Sequence, residues 1–312
     1  MKRPNGREQT PRSLCSRRAS NVTIAVIAER RYLKQLMPMA MIRAFAARAM
    51  AADVLCPQGG RFDPRSGLFH ADDGSCFDLN RYDAVVSRNR NGLGLAMLSY
   101  AEAAGALTIN RPSAILPVRN KAEMAIALER AGIPCPPTVL AEHHAVLATL
   151  SGEWFPLILK ATYGDNSQGL RVIRQPEDLA DIHWDDDPVL AQKFLPNDGF
   201  DLKLYVYGDK VFAVRKPSPI SADGKATAQR IEPNRPMIEL ALKAGRLFGL
   251  DIFGVDVIEN QDGLHVVEVN DFPNFTGIGG IGDLLVDYIL DRPGRARADR
   301  ELARVSTCGG GD

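Results

Sequence analysis

Gly254-Val255-Asp256-Val257-Ile258, followed by Val266-Val267-Glu268-Val269-Asn270, is the stretch that decides the fold of this chain. Both runs are rich in β-branched residues, and this composition predicts two strands. Between them lies Gln261-Asp262-Gly263, which is typical of a three-residue hairpin loop because Gly accepts the left-handed backbone without steric cost. Such a loop pairs Asn260 with Leu264 and fixes the register of the two strands.

In this register Asp256 lies opposite Glu268. Because side chains alternate along a strand, the two carboxylates and the amide of Asn270 share one face. The other face is formed by Val255, Val257, Val267 and Val269. Hard oxygen ligands suit magnesium, which is usually held by one or two carboxylates plus substrate phosphates. The alternative is a surface hairpin whose polar face meets water, although Asn is disfavoured in an apolar strand.

Composition excludes several classes of protein. The chain has 312 residues, enough for two or three domains, with 38 Lys and Arg against 38 Asp and Glu. This balance gives no field that would attract nucleic acid or an anionic membrane, and no apolar run approaches the roughly 20 residues of a membrane span. The five cysteines are widely spaced without a Cys-x-x-Cys pair, which predicts a reduced cytoplasmic protein.

Strands and helices alternate over about residues 21–111, and this pattern predicts a parallel sheet flanked by helices. Further helices are predicted at 119–131, 236–248 and 282–290, with an extended segment at 133–138. Strands dominate from there on, which indicates an α+β arrangement with mostly antiparallel strands. They are predicted at 157–161, 170–173, 189–194, 202–207 and 211–215. Residues 1–20 and 293–312 are expected to be disordered tails because of their Arg, Gly and Ser content.

Two lysines are candidates for phosphate contacts. Lys160 ends an apolar strand and precedes a small polar loop, whose backbone N–H groups could meet phosphate oxygens. The loop candidates are Gly164, Ser167 and Gly169. Lys121 opens a helix, where its charge opposes the helix dipole unless an anion is bound. The alternatives are a plain hairpin turn for the loop and solvated surface positions for both lysines.

A strand-to-loop segment, Gln192-Lys193-Phe194-Leu195, could hydrogen-bond the edge of a purine through its backbone while Phe194 and Leu195 cover the ring. Alternation then sets Asp201 and Lys203 on one face of the next strand. Arg215 and Lys216 end its hairpin partner and would suit a triphosphate. The alternative for these cations is a hydrated rim.

The order of these signals resembles the ATP-grasp superfamily, and within it the RimK-type amino-acid ligases. The likeness covers about residues 22–290 and is most distinctive in the run Glu268-Val269-Asn270-Asp271-Phe272-Pro273-Asn274. It extends into the first half of the chain at residues 82–88, 110–114, 119–121 and 132–138.

This resemblance implies an α/β N-terminal domain, residues 21–117, plus an α+β ATP-grasp fold. The ATP-grasp part would have two lobes, residues 118–195 and 196–292, whose mainly antiparallel sheets clasp ATP. Members of the family activate a carboxylate as an acyl phosphate, which an amine then attacks to give an amide.

Residue roles follow from the same resemblance. Lys121 and Lys160 would contact the ATP phosphates, and Asp201 the ribose. Around the adenine would lie Gln192, Phe194 and Leu195, with Lys193 and Lys203 counted in the nucleotide site. Two magnesium ions, with manganese as a substitute, would be held by Asp256, Glu268 and Asn270. Arg215, together with Lys216, would steady the transferred phosphoryl group. The expected partners are small-molecule or peptide carboxylates and amines and a second copy of the chain, without nucleic acid or membrane.

One segment departs from the family pattern. Residues 216–225 lack the Asn that the glutamate ligases place near the phosphates, and Pro217 and Pro219 cannot donate backbone hydrogen bonds. The string Arg215-Lys216-Pro217-Ser218 and the Phe272-Pro273 that follows Asn270 resemble the inositol-trisphosphate kinases of the same superfamily, so a small-molecule kinase is the alternative. That enzyme would need a basic acceptor pocket, supplied by Arg88, Arg90, Arg111, Arg215 and Lys216. A third hypothesis is a nucleotide-binding module without activity, against which the three intact metal ligands argue.

Overall fold

The computed structural model describes residues 22–163, 170–184, 188–218, 220 and 227–292. Its first part contains the predicted parallel sheet, with strand order β2-β1-β6-β7. These strands are β1 (Ile24–Ala28), β2 (Ala52–Leu55), β6 (Ala84–Arg88) and β7 (Leu107–Ile109). Two helices accompany the sheet, α1 (Leu36–Ala47) and α2 (Gly92–Ala103).

A three-stranded antiparallel ribbon interrupts this sheet between β2 and β6. It consists of β3 (Arg61–Asp63), β4 (Leu68–His70) and β5 (Cys76–Asp78). The sequence predicted a loop or small ribbon here. The side chain of Phe69 is fully buried and packs with the face of the parallel sheet that carries Ile27.

The predicted helix 119–131 corresponds to α4 (Lys121–Arg130), and a further helix, α3 (Pro112–Arg119), precedes it. Sequence reasoning missed α3, although Pro at the first helical position is a recognised start signal. Asn120 separates the two helices and caps α4, because its Oδ1 accepts hydrogen bonds from the backbone N–H groups of Ala122 and Glu123. The Asn cap therefore fixes where Lys121 begins its helix.

The second sheet is antiparallel throughout, with strand order β10-β9-β11-β8. Its strands are β8 (Thr138–Ala141), β9 (Leu157–Ala161), β10 (Arg171–Ile173) and β11 (Val189–Lys193). Strand β8 begins at the last residue of the predicted extended segment 133–138. It follows the proline-rich stretch and is an edge strand beside β11.

The third sheet is also antiparallel, in the order β14-β13-β12-β15-β16. Its strands are β12 (Phe200–Tyr207), β13 (Lys210–Pro217), β14 (Gln229–Ile231), β15 (Ile252–Asn260) and β16 (Gly263–Asp271). Helix α5 (Arg235–Phe248) packs on this sheet, and residues 281–292 form a last helix, α6. Gly208 and Asp209 form the predicted hairpin turn.

The hairpin of β15 and β16 corrects the prediction in one detail. Asn260 pairs with Gly263 rather than Leu264, so the loop has two residues, and a bulge next to Asp256 then restores Asp256 opposite Glu268. The extra residue of a bulge changes which side chains face the core. Accordingly Val266 and Val269 are fully buried, whereas Val267, expected on the valine face, lines a cavity beside Glu268.

The largest core cluster joins distant parts of the chain. Ile24 and Val26 of β1 share it with Phe272, Phe275 and the apolar side of α6. The α6 side chains in this cluster are Ile281, Leu285, Val286 and Ile289. Helix α6 approaches α1 so closely that a Cβ at Gly282 would lie 2.6 Å from the Ala40 carbonyl oxygen. No helix among the described residues has the length and apolar character required to cross a bilayer.

Candidate functional site

A cavity lies between the second and third sheets and contains about 890 Å³ of space, counting its open mouth. Nine of the predicted site residues line it: Lys121, Lys160, Gln192, Lys193, Leu195, Asp201, Lys216, Asp256 and Glu268. Its apolar walls include Ile158, Leu170, Val257 and Val267. Apolar walls with a few convergent polar groups are typical of small-molecule sites.

Lys160 is only 8% exposed, on the buried strand β9. Its Nζ donates a hydrogen bond to Oε1 of Gln192 at 2.6 Å, and Nε2 of Gln192 donates to the Thr138 hydroxyl at 3.3 Å. Burial lowers the pKa of Lys160 to about 8, with the nearby charge of Glu268 acting in the opposite direction. An anion that enters the cavity would offset part of the cost of burying this ammonium.

Lys121 reaches the same cavity from the start of α4. Its backbone N–H donates to the Thr162 carbonyl at 2.8 Å, which ties the helix start to the end of β9. Its Nζ lies 3.3 Å from Oε1 of Glu268. The two predicted phosphate lysines therefore line the same cavity, and the Glu268 carboxylate of the third sheet lies beside Lys121.

Asp256, Glu268 and Asn270 lie together at the middle of the β15–β16 hairpin, as the sequence predicted. Nδ2 of Asn270 donates to Oδ2 of Asp256 at 3.0 Å. The ammonium of Lys203 lies within 2.9 Å of both Asp256 oxygens, but only Oδ2 has hydrogen-bond geometry. Oδ1 of Asp256 is buried and has no hydrogen-bond donor within the described part of the chain.

This donor set fits magnesium. Oδ1 of Asp256 already attracts a cation, the ammonium of Lys203, and makes no hydrogen bond to any described residue, and Glu268 supplies a second carboxylate. The described ranges hold no cluster of three or more His, Cys, Asp or Glu that could bind a metal. Magnesium would therefore draw its remaining ligands from Asn270, substrate phosphates and water, which is its usual mode of binding.

The surroundings of Lys203 differ from the prediction, which counted it with the nucleotide. Alternation sets it on the face of β12 that carries Asp201, but its ammonium pairs with Asp256 across the strands. Burial alone would lower the pKa of Lys203, and the charge of Asp256 outweighs this effect, so the pKa is raised.

Asp201 is held by two residues that sequence reasoning missed. Nδ2 of Asn197 donates to Oδ1 of Asp201 at 3.0 Å, and the buried Ser218 hydroxyl also bonds the carboxylate. Burial raises the pKa of Asp201 against these hydrogen bonds and the charge of Lys216. Asn197 belongs to the short polar loop Pro196-Asn197-Asp198-Gly199, whose composition indicates a turn but gave no reason to expect a contact with Asp201.

Part of the backbone of the predicted purine-binding segment, residues 192–195, is hydrogen-bonded within the protein. The N–H of Lys193 donates to the Pro137 carbonyl at 2.8 Å, and that of Phe194 to the Pro156 carbonyl at 2.9 Å. Leu195 follows Phe194 in the chain and lines the cavity. Phe194 lies outside the cavity, in a neighbouring groove with Phe200 and Arg215.

Arg215 is also outside the cavity, which corrects the expectation that both cations at the end of β13 face one site. Lys216 pairs with Asp201 and Arg215 with Leu202, so the two adjacent side chains point to opposite faces. Arg215 donates to Asp198 at 2.5 Å and lies over the ring of Phe200. Gly164, Ser167 and Gly169, predicted to cradle phosphate, fall outside the described residues.

A fold of this kind, with two antiparallel sheets facing each other across a charged cavity, is the ATP-grasp architecture. A family model described as the RimK-like ATP-grasp domain matches residues 118–283, more than half of the chain. The chain therefore belongs to the RimK-like ATP-grasp family.

Similar proteins agree with this assignment. A relative from Haemophilus influenzae named "Probable alpha-L-glutamate ligase" is 28% identical over 231 residues, which span 68% of this chain and 76% of the relative. The crystal structure of a RimK domain ATP-grasp protein from Sphaerobacter thermophilus superimposes with a TM-score of 0.67 at 20% identity, covering 86% of this chain and 98% of that one.

A further solved structure, the ATP-grasp ligase PsnB complexed with a minimal precursor, Mg and ADP, has a TM-score of 0.65 at 21% identity. It covers 87% of this chain and 98% of PsnB. Together these findings confirm the predicted fold class and the family resemblance, and they confirm the ATP-grasp ligase class at the level of the family. The domain boundaries and the individual site roles stay predictions.

Proposed function

We propose that this protein is an ATP- and Mg²⁺-dependent carboxylate–amine ligase that forms an amide or peptide bond through an acyl phosphate. One observation carries the proposal: Lys121 and Lys160 converge with Asp256 and Glu268 on a single cavity between two antiparallel sheets. Cations beside oxygen ligands are what a metal-bound triphosphate requires. The name of the relative from H. influenzae and the Mg and ADP in the PsnB structure support the same chemistry.

In this proposal the small lobe, residues 118–195, and the large lobe, residues 196–292, bind ATP between them. Lys121 and Lys160 bind its phosphates, and Asp201 accepts hydrogen bonds from the ribose. Leu195 covers the base, which takes a backbone hydrogen bond at the end of β11. Entry of the phosphates adds negative charge beside Lys160, so the nucleotide offsets part of the cost of that buried ammonium.

Asp256, Glu268 and Asn270 would hold the magnesium. When bound, magnesium neutralises phosphate charge and aligns the terminal phosphoryl group. In the ligand-free protein the ammonium of Lys203 pairs with Asp256 and holds its side chain in place.

The reaction transfers two groups in sequence. An oxygen of the substrate carboxylate attacks the γ-phosphorus of ATP, and ADP leaves with the electron pair of the broken P–O bond. The amine then attacks the acyl carbon, loses a proton and displaces phosphate. The protein contributes mainly alignment of the reactants and charge neutralisation, while apolar walls at Ile158 and Val267 keep water from the acyl phosphate.

The kinase alternative has less support. It needs a basic acceptor pocket, yet three of its five cations are engaged elsewhere. Arg111 pairs with Glu102 at 2.7 Å on the protein surface, and Arg215 pairs with Asp198 on the far side of its sheet. Arg88 bonds the Phe272 carbonyl.

Isotope transfer tests the proposed reaction. The protein is incubated with ATP, pooled amines and carboxylic acids labelled with ¹⁸O in the carboxylate. Ligation through an acyl phosphate moves one labelled oxygen into the released phosphate, and release requires both acid and amine. A phosphorylated small molecule formed without free phosphate would instead establish the kinase.

Two variants serve as a matched pair in this assay. Glu268→Gln removes a proposed metal ligand and should abolish phosphate release. Glu259→Gln changes an exposed carboxylate on the same hairpin and should leave it intact. Equal activity of both variants with the wild type would contradict the metal assignment.

A further inference from the structure

Strand β16 carries Glu268 and Asn270 and is the last strand of its sheet. Its outer edge is covered by the segment around α4. The N–H of Val266 donates to the Pro134 carbonyl at 2.7 Å, and the N–H of Val269 to the Met124 sulfur at 3.1 Å. Helix α4 is therefore fixed alongside the strand that holds the proposed metal ligands, and its first residue is Lys121.

One ion pair, between Arg119 and Asp271, links the start of this segment to the end of β16. Nη2 of Arg119 donates to Oδ2 of Asp271 at 2.9 Å, and the two side chains are only 11% and 6% exposed. The same nitrogen also bonds the backbone carbonyl of Asn89, which follows strand β6 of the parallel sheet. Arg119 thus joins three separate parts of the chain at one buried point.

The positions of these residues in the chain give the pair its significance. Asp271 directly follows Asn270, and Arg119 lies two residues before Lys121. The ion pair therefore sets the distance between the strand that carries the metal ligands and the helix start that carries the phosphate lysine. The 3.3 Å contact between Lys121 and Glu268 depends on that distance.

We infer that Arg119 and Asp271 are positioning residues for the magnesium–nucleotide site, acting through Lys121 and Asn270; this inference rests on the proposed function. A guanidinium group can hold a carboxylate and a carbonyl at the same time in fixed directions, whereas the ammonium of lysine cannot reproduce that geometry. Partners that orient metal ligands affect metal affinity although they do not touch the metal.

The test compares the full-length wild type with Arg119→Lys and Asp271→Asn. Calorimetric titration with ADP at a series of Mg²⁺ concentrations gives the Mg²⁺ concentration for half-maximal binding, and thermal unfolding is measured in parallel. Both variants should raise that Mg²⁺ concentration about tenfold or more, with a smaller change in ADP affinity when Mg²⁺ is absent.

Asp251→Asn is the matched control. Asp251 pairs with Arg292 of α6 at 2.9 Å and bonds the Tyr288 hydroxyl at 3.0 Å, so it also joins a sheet to a helix but does not line the cavity. This control should lower the thermal midpoint without changing the Mg²⁺ dependence.

The outcomes separate the two proposals. A wild type that binds no ADP in the presence of Mg²⁺ overturns the proposed function, and this inference with it. Wild-type binding together with unchanged Mg²⁺ dependence in both variants overturns the positioning role alone. A shift in Mg²⁺ dependence of equal size in Asp251→Asn would show a general loss of stability, and that also overturns the positioning role.

Discussion

The ammonium of Lys203 lies 2.8 Å from Oδ1 and 2.9 Å from Oδ2 of Asp256, so a cation of the protein itself pairs with a proposed magnesium ligand. The pair is about four-fifths buried, with side-chain exposures of 19% and 20%. Lys203 therefore compensates in the ligand-free protein for a charge that would be costly to bury alone.

Replacing Lys203 by Met should make the stability of the protein depend on magnesium. Without Mg²⁺ the variant should lose about 3 kcal/mol in free energy of unfolding, because Asp256 loses its counter-charge. Added Mg²⁺ should then stabilise the variant more than the wild type, since binding to the native state adds to stability. Thermal unfolding with and without Mg²⁺ measures the difference. The double variant Lys203→Met, Asp256→Asn is the control and should show no Mg²⁺ response; equal Mg²⁺ shifts in variant and wild type would contradict the metal site.

Lys160 should give the protein a pH-dependent stability in the alkaline range. Its folded pKa of about 8 lies below its ordinary value of 10.5 because the side chain is buried. Between these two values the unfolded chain holds a proton that the folded protein has released, so the free energy of unfolding rises with pH. Lys160→Met should remove this rise and be more stable than the wild type at neutral pH by on the order of 2 kcal/mol.

Urea unfolding at a series of pH values across this window measures the effect. Lys210→Met, at the exposed β12–β13 turn, is the control and should keep the wild-type slope. A wild-type slope in Lys160→Met would mean that another group causes the pH dependence. The variant should also lose roughly 1.5–3 kcal/mol of nucleotide binding, as expected for a charge-assisted contact.

Lys216 and Arg215 should behave differently although they are neighbours. Lys216→Ala should weaken ATP binding, because this side chain lines the cavity. Arg215→Ala should leave ATP binding close to the wild-type value, because its guanidinium faces the opposite side of the sheet and pairs with Asp198. Calorimetric titration with Mg–ATP compares the two, and the reverse order of effects would restore the role predicted for Arg215 from the sequence.

Gly245 should tolerate no side chain. A Cβ there would lie 2.2 Å from the ring of Phe253, where α5 packs on β15. Gly245→Ala should therefore destabilise by about 1–3 kcal/mol through overpacking, although Ala favours helix over Gly by about 1 kcal/mol. Gly92→Ala is the control, because a Cβ at the start of α2 meets no atom within 4 Å. Urea unfolding that finds the Gly245 variant as stable as the wild type would show that α5 can shift away from β15.

The sequence predicted those parts of the fold that depend on local periodicity. Alternation in β15 and β16 set Asp256, Glu268 and Asn270 on one face, and the order of the lysines and the metal hairpin identified the family. The pairing of Asp256 with Glu268 was also correct, although it was derived from a loop one residue too long, because the bulge compensates for that residue. The bulge was not predictable, because a two-residue and a three-residue loop are both compatible with Gln261-Asp262-Gly263. Helix α3 was not predicted, although Pro112 lies at its first position, where a proline favours a helix start.

Contacts between distant elements could not be predicted from one sequence. The sequence sets Asp201 and Lys203 on one strand face, but it does not show that Lys203 turns to Asp256 on β15. Nor does it connect Asn197 or Ser218 with Asp201, because those hydrogen bonds depend on how the loops fold back. For Arg215 the error was avoidable, since alternation along β13 separates it from Lys216.

Helix α6 has a practical consequence for any attempt to isolate the homologous region. The match to the family ends at residue 283, two residues into this helix, while Leu285, Val286 and Ile289 beyond it complete the core with Ile24 and Val26. A chain trimmed to that match would lose both the parallel sheet and the remainder of the helix. Phe272 and Phe275 would then be exposed to solvent, and we expect the fragment to aggregate through this apolar patch.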